Sequence, residues 1–436
     1  MSASSFFVAG LGYGDEGKGS CVDFLCREYD SKLVVRYNGG SQAGHTVVLD
    51  DGIHHTFAQF GSGTFAGART LLSRFMLVNP ITLMHEGAGL KKVGITDPFR
   101  MVTVERDALV TTPFHVSANR IREMIRTGRH GSCGMGIGET MQDSVEGKEC
   151  LYVRDITGDR DELRKKLKSI QARKRDEVEQ AEGCQHPEWQ TFQGVGYIDR
   201  AMEFYAAFAD QVEVVGPEYL EQHLRTQKDH VIFEGAQGAL LDQDFGFQPH
   251  TTWTDMTFKN AEALVNTIVL PCRIGVLRAY HTRHGAGPFV SEDKRFDVLS
   301  AEDHNRTGDW QGVFRSGAFD LVAARYAMSI MGKLDGLAIN HLDRLEAFDQ
   351  PSGICHAYDI DGIEVKALEV HRPFDLAYQE NLTRKLFSAK PVLRPYPRFP
   401  RQMYSEYIAE ALDCPLAIVG RGPRAKDKQI LDSWGS

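Results

Sequence analysis

The stretch Gly10-Leu11-Gly12-Tyr13-Gly14-Asp15-Glu16-Gly17-Lys18-Gly19-Ser20 follows directly on the apolar run Phe6-Phe7-Val8-Ala9. Counted from Gly12 it fits G-x-x-x-x-G-K, the spacing of a phosphate-cradling loop set between a strand and a helix. Backbone N–H groups approach a polyphosphate closely where no Cβ intervenes, and the ammonium of Lys18 neutralises phosphate oxygens above the first helical turn. Gly12, Gly14, Glu16, Gly17, Lys18 and Gly19 are therefore the candidate nucleotide-binding residues. Gly19 stands where Ser or Thr normally follows the lysine, so no hydroxyl is at hand for Mg²⁺. Asp15, inside the loop, is the carboxylate available for that ion.

Outward from this loop, apolar strands and amphipathic helices alternate as in an α/β protein. The pattern predicts strands at 6–10 and 32–36 around a helix at 18–29. It predicts a hairpin from 46–49 and 53–57 about Asp50-Asp51-Gly52, a short buried strand at 231–233, and further strands at 268–277 and 336–339. The highly charged segment 161–181 reads as a solvated helix. One α/β domain over residues 1–436 is expected, built on a large central, mostly parallel sheet with helical and small β insertions. Residues 100–210 form its helical subdomain.

The chain has 436 residues, 42% hydrophobic and 25% charged, with a net charge of −9. That balance gives no bulk attraction to nucleic acid or to an anionic membrane. No apolar run approaches the ~20 residues needed to span a bilayer, and Met1 to Ser5 show no signal-peptide pattern. The eight cysteines lack paired zinc-ligand spacing. A reduced, cytoplasmic protein is expected.

Further glycine-rich or polar clusters occur at 38–46, 131–138, 234–244, 279–289 and 340–343. His45, which closes the first of them, can act as a general acid near neutral pH. Each has a plain structural reading as well. His45 alone reads more readily as structural, Asp343 as a helix cap, and Thr282 and Arg283 as ligands of backbone carbonyls. Their combination and order point to function.

In that order the clusters resemble the adenylosuccinate synthetase family. Tyr13 to Ser20 matches the family's Trp-Gly-Asp-Glu-Gly-Lys-Gly-Lys. Gly39 to Thr46 matches Gly-Gly-x-Asn-Ala-Gly-His-Thr, with Gln42 for Asn. Glu234 to Asp242 matches Glu-Gly-Ala-Gln-Gly-x-Leu-Leu-Asp, and Ala279 to Phe289 matches Ala-Tyr-x-Thr-Arg-x-Gly-x-Gly-Pro-Phe. His341-Leu342-Asp343 stands for Lys-Leu-Asp, and Gly422-Pro423 for the closing Gly-Pro. The resemblance runs nearly end to end. It implies a P-loop-type fold and a ligase of purine biosynthesis, in which GTP phosphorylates a purine 6-oxygen that the amine of L-aspartate then displaces.

Carried over position by position, the resemblance implies that Asp15 is the general base on purine N1 and a Mg²⁺ ligand. His45 is the general acid or charge stabiliser, and Gln237 lies near the reacting oxygen. The Gly44 carbonyl is a second Mg²⁺ ligand. His341, Asp343 and Gly422 complete the nucleotide site, with Asp343 reading guanine N1 and its exocyclic amine. Asn38, Gln42, Ser132, Cys133, Met135, Thr252, Arg306, Thr307, Asp309 and Arg315 fall in the acceptor and amine sites. Small-molecule substrates, no nucleic acid, no membrane and a homodimer are expected.

The departures fall on the acceptor and amine loops. Ser132 to Glu139 replaces Thr-Thr-Gly-Arg-Gly-Ile-Gly-Pro, so Met135 stands where the family has arginine. The family's cross-dimer arginine is missing before Gly147. Each guanidinium lost around a phosphate removes contacts worth about 1.5–3 kcal/mol. Asp309 replaces the first arginine of the aspartate loop. His341 in place of lysine and Arg421 in place of a small residue alter the base pocket and leave ATP open beside GTP. IMP plus L-aspartate is the default pair. A modified purine or another carbonyl acceptor with a different amine is the alternative, and a nucleotide-binding homologue without ligase activity is the non-enzyme alternative.

Overall fold

Phe6, Phe7, Val8 and Ala9 are buried in the strand Ser5–Gly10 at the middle of a ten-stranded sheet. A strand covered by helices on both faces has no polar face to alternate, so it reads as one apolar run. The computed structural model describes residues 5–127, 130–300, 310, 312–348, 353–395 and 403–435. From edge to edge the sheet runs Lys428–Ile430, Leu416–Gly420, Gly336–Asn340, Pro271–Arg278, Ser5–Gly10, Val231–Gly238, Leu33–Arg36, Arg69–Leu72, Val102–Glu105 and Glu213–Val215. All neighbours pair in parallel except the antiparallel edge strand Lys428–Ile430. The expected large, mostly parallel sheet is present.

The helix Lys18–Glu28 covers one face of this sheet with Cys21, Val22, Leu25 and Cys26. The expected hairpin pairs His45–Val48 with His54–Phe57. A second hairpin pairs His281–His284 with Phe314–Gly317. The helices Pro113–Ile125, Ile137–Val145, Arg160–Gln180 and Gly196–Gln211 make up most of the helical insertion. Among the described residues no helix is long and apolar enough to cross a membrane.

Two elements differ from expectation. The strand expected at 231–233 continues to Gly238, carrying Glu234 and Gln237 within it. The charged helix Arg160–Gln180 is not simply solvated, since it buries Leu163, Leu167, Ile170, Gln171, Lys174 and Val178 along one stripe. Lys174 binds Glu139 at 3.0 Å, Asp143 at 2.8 Å and Glu177 at 3.0 Å. Asp143 also meets His115 at 3.0 Å and Arg173 at 2.7 Å. This compensated charge cluster ties Ile137–Val145, and with it the preceding loop, to the neighbouring helices.

Candidate active site

Loops at the carboxyl ends of the central strands come together where open α/β sheets bind ligands. Gly17, with φ 86°, turns the chain into the helix at Lys18, a backbone conformation costly for a residue with a side chain. Glu16 Oε1 accepts from the Gly14 amide at 2.7 Å. The buried Lys18 ammonium donates to Glu16 Oε2 at 2.9 Å and to the Gly14 carbonyl at 2.8 Å. From the neighbouring strand, Asn340 Nδ2 donates to the Glu16 carbonyl at 2.9 Å. The Gly12 carbonyl accepts from Leu240 N at 3.1 Å. The loop is thus braced from outside by the Asn340 side chain and the Leu240 amide, with the Lys18 ammonium turned back onto Glu16 and the Gly14 carbonyl.

Gly19 explains the missing hydroxyl. A Cβ there would lie 2.7 Å from His45 Cβ and 2.9 Å from Ser62 Oγ. No side chain of any kind fits, because His45 packs directly on the helix start. Gly19→Ser, which restores the usual hydroxyl of a phosphate loop, is expected to destabilise the protein by about 1–3 kcal/mol through overpacking. It also displaces His45, to which the resemblance assigns a catalytic role, and turnover is expected to fall at least ~10-fold. Urea unfolding and steady-state rates check both, and a fully active Gly19→Ser enzyme would contradict this account.

His45 Nδ1 lies 2.6 Å from Glu234 Oε1 in a buried pair. Glu234 also accepts from the Ser62 amide at 2.9 Å and from the Ser62 hydroxyl. Burial works against the Glu234 carboxylate, but Arg36, His45 and Ser62 outweigh it and hold its pKa at about 2. Burial pulls His45 down to about 4 against the opposing pull of Glu234. Glu234 therefore fixes Nδ1 and leaves Nε2 as the ring's free nitrogen. Fully buried Arg36 donates to the carbonyls of Ala58 and Phe60 at 3.2 Å each and lends its charge to Glu234.

Asp15 Oδ2 lies 3.0 Å from His284 Nε2, and the Asp15 carbonyl accepts from Arg278 at 3.3 Å. Burial raises the Asp15 carboxyl, yet His284, Arg278 and Lys18 together bring it below its ordinary value. Gly44 is exposed between buried Ala43 and His45. A carboxylate and an accessible carbonyl are hard oxygen donors, a set that suits Mg²⁺ completed by phosphate oxygens and water.

Gln237, at φ 36° near the end of its strand, accepts on Oε1 from Gln42 Nε2 at 3.3 Å. Asn38 is fully buried, accepting from Ala236 N at 2.7 Å and donating to Asp255 O at 3.0 Å. Thr252 is half-buried beside Thr254 at 3.4 Å. Ser132 donates to Asn119 Oδ1 at 3.0 Å. Burial raises the Cys133 thiol to about 11. Half-buried Met135 lies between Gly134, where a Cβ would meet the Trp310 ring at 3.0 Å, and Gly136. Arg120 stacks over Trp310 at 5.3 Å and binds the Gly134 carbonyl at 3.0 Å and Glu188 at 2.7 Å. Arg306, Thr307 and Asp309 lie outside the described residues. Arg315 donates to the carbonyls of Gly285 at 3.1 Å and Gly287 at 2.8 Å and pairs with Glu292.

His341, at φ 61°, precedes the short helix Leu342–Glu346. It sits 3.4 Å from Arg278. Burial, with Arg278 and Lys428 nearby, pushes its imidazole well below the ordinary histidine range. Asp343 Oδ1 is buried without a hydrogen-bond partner. Gly422 follows the adjacent strand Leu416–Gly420, and its carbonyl accepts from Lys428 at 3.4 Å. Arg283 binds three backbone carbonyls, those of Ala286, Pro288 and His250.

Glu234, Ser62, Arg36, His284 and Asn340 also belong to this site, and sequence reading gives none of them a role. Glu234, His284 and Asn340 lie within the clusters noted above. Their partners are remote in sequence, so only the cluster membership carried a signal.

The family model described as adenylosuccinate synthetase matches residues 7–429. The adenylosuccinate synthetase of Thermosynechococcus vestitus is 31% identical over 445 residues, covering 98% of this chain and 94% of that protein. That of Halobacterium salinarum is 32% identical over 447 residues, covering 97% and 98%. Among solved structures, fully ligated adenylosuccinate synthetase from Plasmodium falciparum superposes with a TM-score of 0.79 at 20% identity, covering 98% of this chain and 100% of that one. The cyanophage S-2L succinoaminodeoxyadenylate synthetase, bound to dGMP and to dATP as an energy donor, gives 0.63 at 17% identity, covering 99% and 97%.

Proposed function

The chain belongs to the adenylosuccinate synthetase family, ligases that form a C–N bond, and we propose that it acts with GTP and Mg²⁺ on the 6-oxo group of IMP or an IMP-like purine. The observation that carries this reading is the placement of the His45–Glu234 pair against Gly19 of the phosphate loop, with Asp15 in that same loop. A lactam oxygen is a poor leaving group. Asp15 takes the proton from purine N1 while O6 attacks the γ-phosphorus, and GDP departs. His45, neutral in the free protein with its Nδ1–H on Glu234, takes up a proton on Nε2 as the anionic phosphates bind and then meets the transferring phosphoryl group. Lys18 with the loop amides offsets the charge of that group, since phosphoryl transfer needs mainly positioning and neutralisation. The amino group of L-aspartate then attacks C6, the C6–O bond breaks, and inorganic phosphate leaves, carrying off the proton that the amine gives up. Gln237, steadied by Gln42, orients the purine near O6. The Asp15 carboxylate and Gly44 carbonyl would hold Mg²⁺, which when bound supplies charge neutralisation at the phosphates. The unpartnered Asp343 Oδ1 supports guanine as the base of the donor. A homodimer is expected in light scattering.

A second reading keeps the activation chemistry and changes the acceptor or the amine. It is favoured by Met135 in the acceptor loop, whose Gly134 packs on Trp310, and by an Arg315 already engaged by Glu292. The test is direct. Protein, GTP, Mg²⁺, IMP and L-aspartate are mixed and followed for the absorbance of a succinyl-purine. ATP and dATP as donors, dGMP as acceptor and other amino acids as amines are run in parallel. Turnover with IMP and aspartate supports the default pair. Turnover only with another acceptor or amine moves the assignment to the second reading.

A further inference from the structure

We propose that His284 is a positioning residue for Asp15, with its Nε2 holding one carboxylate oxygen so that the other stays directed to the acceptor. The inference rests on the reading of Asp15 as the base. The pattern Ala-Tyr-x-Thr-Arg-x-Gly-x-Gly-Pro-Phe leaves position 284 unspecified, and this chain has histidine there. His284 Nε2 lies 3.0 Å from Asp15 Oδ2, a charge contact outside hydrogen-bond geometry that leaves this buried oxygen without a hydrogen-bond partner among the described residues.

The imidazole is itself well fixed. His284 ends the strand His281–His284 and pairs across the hairpin with Phe314. The Phe314 ring packs edge-on against it, with centroids 4.7 Å apart and planes at 69°. Gly285 N donates to Val313 O at 2.9 Å just beyond, and Arg283 clamps the following turn through its three carbonyls. Asp15, by contrast, sits in a loop between two glycines of positive φ, Gly14 at 114° and Gly17 at 86°, with Glu16 intervening before the second. Such a segment does not fix a side chain by itself. Arg278 holds the Asp15 carbonyl at 3.3 Å, and His284 faces its carboxylate in a charge contact. Together they define the residue at both ends. Arg315 and Arg283, opposite each other in the hairpin, share one face, and His284 and Phe314 share the other, so the face toward Asp15 is distinct from that carrying the arginines.

The experiment compares His284→Val, which removes the polar ring facing Asp15, with His284→Gln, which keeps a polar N–H group of similar reach. With GTP, Mg²⁺, IMP and aspartate, His284→Val is expected to lower kcat by ~10- to 100-fold, the cost of a misplaced reacting group. KM for GTP stays within about twofold, and His284→Gln recovers most of the loss. Unchanged kcat in His284→Val, a loss confined to KM for GTP, or no rescue by glutamine overturns the proposal. A second readout needs no turnover. In long-range ¹H–¹⁵N spectra of the free protein, Asp15→Asn is expected to move the His284 ring nitrogens, and unmoved signals also overturn it. Should the wild type fail to turn over IMP and aspartate, the substrate assignment falls while the spectra still decide the contact.

Discussion

Asp15→Asn is expected to lower kcat by ~10³- to 10⁴-fold while nucleotide affinity, measured with a fluorescent GTP analogue, changes by only a few-fold. Asparagine has the same size and can sit in the same loop. It cannot take the N1 proton, and without N1 deprotonation O6 stays a weak nucleophile. General-base catalysis alone is worth ~10²- to 10⁴-fold, and losing an anionic Mg²⁺ donor pushes the loss toward the upper end. Phosphate affinity rests instead on Lys18 and the loop amides, which the substitution leaves in place. Although burial opposes ionisation of Asp15, His284, Arg278 and Lys18 hold its carboxyl below the usual aspartate range. The base is therefore ready throughout neutral pH, and an activity limb caused by Asp15 lies on the acid side of that range. Residual kcat within tenfold of wild type would remove Asp15 from the role of base.

The fold was legible because its signals are local. Phe6 to Ala9, the glycines from Gly10 to Gly19 and the turn at Asp50-Asp51-Gly52 each declare their conformation within a few residues. Two local readings failed for physical reasons. The strand from Val231 read as ending at Phe233 because Glu234 and Gln237 are polar, yet polar side chains at the end of a buried strand are where a site is built. The helix Arg160–Gln180 read as solvated because charged residues surround its apolar stripe. Nothing in its spacing shows that Lys174 meets Glu139 and Asp143 in the interior.

Site pairings were less legible than site residues. His45 stands out as the end of a glycine-rich turn, but Glu234 lies 189 positions away. Asp15 and His284 are brought together by the parallel order of the sheet and a hairpin beyond it. The same holds for Gly19. Its sequence shows a missing hydroxyl, and only the approach of His45 shows that any side chain is excluded. The loop therefore differs from a common phosphate loop because the His45–Glu234 pair is packed against it.

Glu234→Gln tests that placement most severely. The carboxylate is the anion shared by His45, by Ser62 and, through charge, by Arg36. A glutamine of the same shape leaves Arg36 fully buried, with Nε and Nη2 already lacking hydrogen-bond partners, and now without a counter-charge. Leaving a buried cation without its counter-charge costs about 3–5 kcal/mol, which urea unfolding at pH 7 resolves. The pH dependence fixes the cause. The folded pKa of Glu234, about 2, lies below the ordinary 4.5, so the folded state binds fewer protons than the unfolded one. Its stabilisation is complete above the ordinary value and is lost as pH falls through 4.5 toward 2. Glu234→Gln should thus narrow its stability gap to wild type over that interval, whereas a packing defect would keep the gap constant. In catalysis, His45 loses the partner that orders its Nδ1 and directs Nε2 at the phosphoryl group, and kcat is expected to fall by ~10²-fold or more. Glu234→Asp keeps the charge on a shorter stem, so it should recover stability more than rate, separating the electrostatic role of this carboxylate from its aim. A Glu234→Gln enzyme with wild-type rate would mean that His45 works without it.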